Sequence, residues 1–326
     1  MKNSFFLIIL LLPSVLSAQI KYSVGVGSGL YFTGQSAVYD NSQKYFTGLL
    51  KLDYNIKEKD YKAGFDIFAL PELYGSDELV RSLKLKIDAD YYEAHENFTW
   101  GIEFSKKYYL FNSFDVDNTF DIYFVQPSIE WRLTDDIPVK TSVGLAYQDI
   151  SGGYSQKSDL FYLDNRLFHY FNAFTHLSYG FYLERFGLNS TKTNNGWRIG
   201  PIFTFNHLKS FVLNLEFKYL LHTSKLTNKF SHESVIRLMA GKFLLPNLSA
   251  FLIADYDWRN ISYSDSSDVL PYSLIDSENN IHVRLGYNVS KVTELYLKGG
   301  YFNQDYLNNN LSLKGWNIVA GVKFGN

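Results

Sequence analysis

Long stretches of this chain alternate apolar and polar residues with a period of two, and that period constrains the fold more than any other feature. From Leu83 to Tyr91 every odd residue is apolar and every even one is charged, with Lys84, Lys86, Asp88 and Asp90 set against Leu85, Ile87 and Ala89. Successive side chains on an extended strand point to opposite faces, so the segment has one apolar and one charged surface. Phe211 to His222 places Glu216, Lys218 and His222 opposite Phe217, Tyr219 and Leu221, and Leu248 to Arg259 places Asp255, Asp257 and Arg259 opposite Ala254, Tyr256 and Trp258. Ile281 to Val289 sets His282 and Arg284 against Val283 and Leu285, and Glu294 and Lys298 continue the pattern towards the C-terminus. No stretch has a helical period of apolar positions, and no apolar run beyond the N-terminus is long enough for a membrane-spanning helix.

A half-buried sheet in a soluble sandwich also alternates. Three features place this sheet in lipid instead. The alternating segments run to roughly ten residues or more, the length of a tilted bilayer crossing rather than of an ordinary soluble strand. Connections alternate between tight turns (Lys57 to Asp60, Glu93 to Glu96, Thr134 to Asp136, His207 to Lys209, Pro246-Asn247, Ser290 to Val292) and long polar loops such as Gly34 to Lys44, Ser151 to Ser158, Ser262 to Asn280 and Asp305 to Ser312. Trp100 and Trp131 adjoin tight turns while Trp197, Trp258 and Trp316 adjoin long loops, all on the apolar parity. Indole favours the headgroup level, so this is the pattern of two interfacial girdles.

Fifteen strand starts can be read directly, at Ile20, Tyr45, Tyr61, Ser82, Asn97, Asp121, Pro138, Arg166, Gly196, Ser210, Glu233, Leu248, Ile281, Thr293 and Lys314. An odd number breaks the alternation of turns and loops. The break falls in the aromatic stretch Asp159 to Arg185, and splitting it near Tyr170 to His176 restores the alternation with both ends on the same side. The expectation is an all-β, antiparallel, up-and-down transmembrane barrel of sixteen strands, with fourteen as the alternative.

The N-terminus fits an exported chain. Lys2 precedes the apolar run Phe5 to Leu12, which Pro13 ends, and Ser17-Ala18-Gln19 offers a cleavage site. Met1–Gln19 is therefore expected to be a leader and 20–326 the barrel. There is no cysteine, which removes disulfides, thiolate metal sites and a lipid-anchoring thiol. With 31 Lys and Arg against 33 Asp and Glu the net charge is −2, and loss of Lys2 with the leader takes it one lower. A nucleic-acid binder would carry a clustered basic excess, so that class is not expected. The 26 Tyr and 27 Phe exceed what a single soluble core needs, whereas a barrel uses aromatic rings at both interfaces.

The C-terminal stretch Asn317 to Phe324, ending in Val322-Lys323-Phe324, resembles the terminal-strand signal of bacterial outer-membrane β-barrel proteins. Together with the leader, the resemblance covers the mature chain at the level of a class, porin-like and similar to proteins of Bacteroidota. It implies insertion by the outer-membrane assembly machinery through Val322 and Phe324 and contact with outer-membrane lipid, and the even strand count then puts both termini in the periplasm. Nothing in the sequence resembles a plug domain, since alternation starts within a few residues of the expected cleavage site, so a plugged transporter is not expected.

Few residues suggest chemistry. Gly25-x-Gly27-x-Gly29 is followed by Leu30 where a dinucleotide loop needs glycine, and these glycines lie on the polar parity, where they leave room inside a barrel. His176-x-Ser178 resembles the His-x-Ser element of lipid A deacylases and outer-membrane phospholipase A, but Tyr179 stands where those enzymes have asparagine, and both residues fall on the lumen parity. Asp115, Asp117 and Asn118, and Asp265, Asp268, Asp276 and Glu278, supply oxygens without the glycine and terminal glutamate of a calcium loop. No metal and no cofactor are expected.

The set that most resembles a functional surface is the charged lumen parity: Lys84, Lys86, Asp88, Asp90, Glu216, Lys218, Asp255, Asp257, Arg259, His282, Arg284, Glu294 and Lys298. Charge cannot face lipid cheaply, so these groups pair across strands or line a wet channel. The sequence favours a passive channel for small hydrophilic solutes, not an enzyme. The second reading is a non-conducting barrel docked to an envelope protein partner through the apolar Leu160 to Phe186 segment. An acyl hydrolase at His176 and Ser178 is third.

Overall fold

The computed structural model describes residues 19–33, 43–74, 80–113, 116–134, 137–152, 155–189, 193–224, 231–260, 279–305 and 312–325. They form sixteen strands: β1 (Gln19–Thr33), β2 (Gln43–Lys57), β3 (Tyr61–Tyr74), β4 (Val80–Ala94), β5 (Phe98–Ser113), β6 (Val116–Thr134), β7 (Ile137–Ser151) and β8 (Gln156–Asn172). The second half comprises β9 (Thr175–Asn189), β10 (Thr193–Leu208), β11 (Val212–Ser224), β12 (Ser231–Leu245), β13 (Leu248–Asn260), β14 (Asn279–Asn288), β15 (Thr293–Asp305) and β16 (Ser312–Gly325). Each strand pairs antiparallel with its chain neighbours, and β1 pairs with β16 to close the barrel. The doubtful aromatic stretch does turn back on itself, as β8 and β9, through residues 173–174, where the Phe174 amide donates to Asn172 Oδ1 at 2.9 Å.

Most strand starts fall within three residues of expectation, and two differ by five or more. β8 begins at Gln156 rather than Arg166, because Leu160 and Tyr162 pack into the lumen and keep the segment on the sheet. β6 begins at Val116 rather than Asp121, so Asp117 and Asn118 pair with Asn112 and Phe111 in a strand instead of standing in a calcium-like loop. Asp115, the acids Asp265, Asp268, Asp276 and Glu278, and residues 1–18 lie outside the described residues. Of the expected leader only Gln19 is described, opposite Asn55 as the first residue of β1.

The register fixes the geometry. Following paired residues once around the barrel returns to β1 about 20 positions further along, so the strands tilt by about 40° and the wall lies on the order of 16 Å from the axis. With that tilt, Trp197, Trp258 and Trp316 fall at one height near the loop rim. Trp100 and Trp131 fall at a second height about 25 Å nearer the turn rim, the thickness of a barrel's apolar band. All five stand on the outward parity, and Trp197, Trp258 and Trp316 are exposed.

At mid-height the outward side chains are apolar and exposed, among them Val26, Leu50, Ile87, Phe104, Phe181, Phe203, Phe217, Leu252 and Leu297. Among the described residues, Lys106 alone carries charge on the outward parity well between the two levels. The aromatic residues of β8 and β9 divide between the two faces: Phe161, Tyr179 and Phe181 point outward, whereas Tyr162, Tyr182 and Phe186 stand on the lumen parity. Inside, glycine and aromatic residues interlock. Tyr162 lies over Gly144, Tyr92 over Gly101, and Tyr296 over Gly27 and Gly321, where any Cβ would collide with the ring. The glycines of β1 therefore serve packing.

Phe217, outward at mid-height on β11, offers a direct test of this placement. Phe217→Arg should lower the stability of the barrel in phospholipid vesicles by about 2–4 kcal/mol, whereas Trp258→Arg at the girdle should cost about 1 kcal/mol or less, read by urea titration of folding.

Candidate functional site: the charged lumen

Every charged residue expected in the lumen, where its strand register is described, stands on the inward parity. Arg259 shares that parity at the end of β13, and its side chain lies outside the described set. The inward charges divide into neighbourhoods set by strand adjacency. On β2 to β5, Lys51 meets Asp53 at 2.6 Å, Lys86 meets Asp88 at 2.9 Å and Lys62 meets Asp90 at 3.3 Å. Lys84 approaches Glu72 at 3.9 Å, and Ser82 Oγ donates to Glu72 at 2.9 Å. Lys298, from β15, lies close enough to act electrostatically on Lys84 and Glu72, so these walls face one another over the glycine-lined strands β16, β1 and β2.

On β14 and β15 the guanidinium of Arg284 forks onto Glu294, with both contacts at 2.9 Å, and packs over the Tyr296 ring. His282 Nδ1 lies 3.1 Å from Asn280 Oδ1.

The densest network spans β8 to β13. Arg198 donates through Nε and Nη2 to the two carboxylate oxygens of Glu184, each at 2.8 Å, and through Nη1 to Glu233 at 2.8 Å. His222 Nε2 sits 2.8 Å from the same Glu233 oxygen, and the Tyr182 hydroxyl donates to Glu184 at 2.6 Å. Side-chain exposure in this group is 0–7%, so the ions are held by one another rather than by water. Towards mid-height, Glu216 is a hub for Arg166, Lys218 and Arg237 at 3.3–3.5 Å. Asp164 accepts from Arg166 Nε on Oδ1 at 2.8 Å and from Nη2 on Oδ2 at 2.6 Å, a bidentate contact, while Arg237, 43% exposed, reaches Asp255 at 3.6 Å.

Several of these partners escape a reading of the sequence. Asp164, Arg166 and Glu184 lie in the aromatic stretch whose parity is set only once its turn is placed. On β12 Val235 and Ile236 make both faces apolar, which hides Glu233 and Arg237. A cavity of 440 Å³ opens among these groups, lined by five bases (Lys140, Arg166, Arg198, Lys218, Arg237), five acids (Asp164, Glu216, Glu233, Asp255, Asp257) and the stacked rings of Phe124, Tyr162 and Tyr182. A second cavity of 370 Å³ lies against β3 to β7, beside Lys62, Lys86, Asp88, Asp90 and Glu103.

His176 and Ser178 share the lumen face of β9. His176 Nε2 is 3.0 Å from Asn206 Nδ2, and Ser178 is buried opposite Thr204. Among the described residues no hydrogen bond joins the two, so the contact that would activate a serine is not formed. Val322 and Phe324 occupy the turn-side end of β16, both outward, opposite Val26 and Val24 of β1.

No protein-family model matches the chain, and no curated protein matches it in sequence. Among solved structures, CdiB from Acinetobacter baumannii superposes with a TM-score of 0.51 at 9% identity, over 94% of this chain and 60% of that one. The chain thus spans about 60% of the length of CdiB. OccAB4 of Acinetobacter baumannii (TM-score 0.45, 10% identity, 96% of this chain and 99% of that one) and a BenF-like porin from Pseudomonas fluorescens Pf-5 (0.42, 8%, 95% and 99%) superpose with lower scores.

The two kinds of lumen charge predict different costs. Arg198→Met strands Glu184 and Glu233 as buried unpaired carboxylates and should destabilise the barrel by about 3–5 kcal/mol. Arg237→Met, at a half-exposed site with long contacts, should cost about 1 kcal/mol or less. Urea unfolding of the two variants in the same vesicles compares them.

Proposed function

We propose that this barrel is a passive channel of the bacterial outer membrane for small hydrophilic solutes, with its turns and both termini in the periplasm. One observation carries the reading. The lining of the 440 Å³ cavity runs along the barrel axis, from Lys140 and Phe168 near the turn-side tryptophan level to Glu233 and Asp257 near the loop-side level. A polar path of that length, inside a wall on the order of 16 Å from the axis, is the feature a diffusion pore requires.

The balance of five acids and five bases along this path gives no large field of one sign. Neutral and zwitterionic solutes fit it better than multiply charged ones. Arg237 projects at mid-height with the most exposed charge of the network, so it meets any solute that enters. The stacked Phe124, Tyr162 and Tyr182 line the same cavity with apolar ring faces, Tyr182 beneath the Lys218 amine.

Purified protein in a planar bilayer should produce discrete conductance steps, and vesicles containing it should swell in isotonic small sugars. Arg237→Glu should shift the reversal potential in a KCl gradient towards the potassium potential. Absence of conductance above the bare bilayer would sink the proposal.

A further inference from the structure

The outward wall carries a group of charges that closing a barrel does not require. Lys106 on β5, Asp121 on β6, Asp149 on β7, Lys157 and Asp159 on β8 and Arg185 on β9 all stand on the lipid-facing parity. Apart from Lys106, they fall at the height of Trp197, Trp258 and Trp316, the level of headgroups on the loop side. Ionised groups are excluded from deeper positions. Lys106 starts lower, and its amine reaches to Asp121 at 3.6 Å while lying over the Tyr123 ring.

Two of the acids are thus answered within the group, Asp121 by Lys106 and Asp149 by Lys157 at 3.5 Å. Arg185 and Asp159 remain. Both are exposed, and among the described residues neither has an ion-pair partner. They border the same outward groove, of 440 Å³, which descends over Val125, Leu145 and Phe161 into the hydrocarbon zone. The groove therefore has a cation and an anion, too far apart to pair, at headgroup height and an apolar floor beneath them.

We propose that this groove seats one membrane lipid bearing a phosphoethanolamine headgroup, with the phosphate on Arg185, the ammonium on Asp159 and an acyl chain over Val125, Leu145 and Phe161. The charges select this chemistry. An anionic headgroup would satisfy Arg185 and leave Asp159 facing a like charge, whereas a zwitterion answers both. The site depends on the barrel spanning a bilayer and is independent of whether the lumen conducts.

The test uses the full chain in nanodiscs of equal parts phosphatidylethanolamine and phosphatidylglycerol, released into mild detergent and weighed by native mass spectrometry. The native barrel should retain phosphatidylethanolamine over phosphatidylglycerol by roughly tenfold. Arg185→Gln should abolish retention of both lipids, and Asp159→Asn should let phosphatidylglycerol bind as well as phosphatidylethanolamine. Heat-dependent gel mobility verifies that each variant is folded. Equal retention of the two lipids by the native chain, or an unchanged ratio in both variants, overturns the proposal. So does a dimer cross-linked through residues 159 and 185, which would make the groove a contact between two copies.

Discussion

Backbone hydrogen bonding at the seam between β1 and β16 is the contact on which everything else depends. In hydrocarbon an unpaired amide or carbonyl has no water to turn to, and an open sheet would present a full row of them along each edge. The seam pairs Ser23 to Thr33 with Gly325 to Gly315 without interruption. Close approach there is allowed by small residues, since a side chain on Gly29 would strike the Ile318 carbonyl and one on Gly25 would crowd that of Val322. Closure then fixes the parity of every strand. Because the side-chain period is two, a slip of one residue at the seam would turn Lys323 outward and Phe324 inward.

Once parity is fixed, the placement of charge follows from solvation. Charge is costly against hydrocarbon, so ionised groups collect inside the barrel and at the rims and nearly vanish from the outward middle. The inward charges then differ in a way that burial alone does not set. Around Arg198 the partners are close, bidentate and shielded, and such a cluster braces β9 to β12. Around Arg237 the contacts are long and the guanidinium is half-exposed, so it is held far more loosely. Rigidity near the loop rim and adaptability at mid-height thus arise from the same residue types at different exposure.

The fold was legible because the bilayer repeats one demand on every strand. Alternation from Leu83 to Tyr91 is enough to assign inside and outside, and tryptophans beside turns and loops give the two interfaces before any register is known. The partners within the lumen were less legible. Pairing depends on which residues lie opposite across neighbouring strands and on the tilt that brings distant positions to one height. No local pattern reveals that Arg166 of β8 meets Glu216 of β11, or that Lys298 of β15 comes near Glu72 of β3. The β8–β9 hairpin shows the limit well. Its turn could be placed by counting loops, but Asp164 and Glu184 gained an orientation only when the strands around them did.

The outward polar group on β5 to β9 follows from the same tilt. Arg185 and Trp197 are paired neighbours on β9 and β10, yet the same ladder continues through Phe161, Leu145 and Val125 to Phe104 near mid-height. One row of hydrogen-bonded residues therefore crosses from headgroup to hydrocarbon as it passes around the barrel, and its composition changes from charged to apolar along the way. A tilted ladder with that gradient makes an oblique groove, polar at its upper end and greasy below. Lipids are built with the same gradient along their length, which is why this face, rather than the tryptophan-bearing one, can distinguish one headgroup from another.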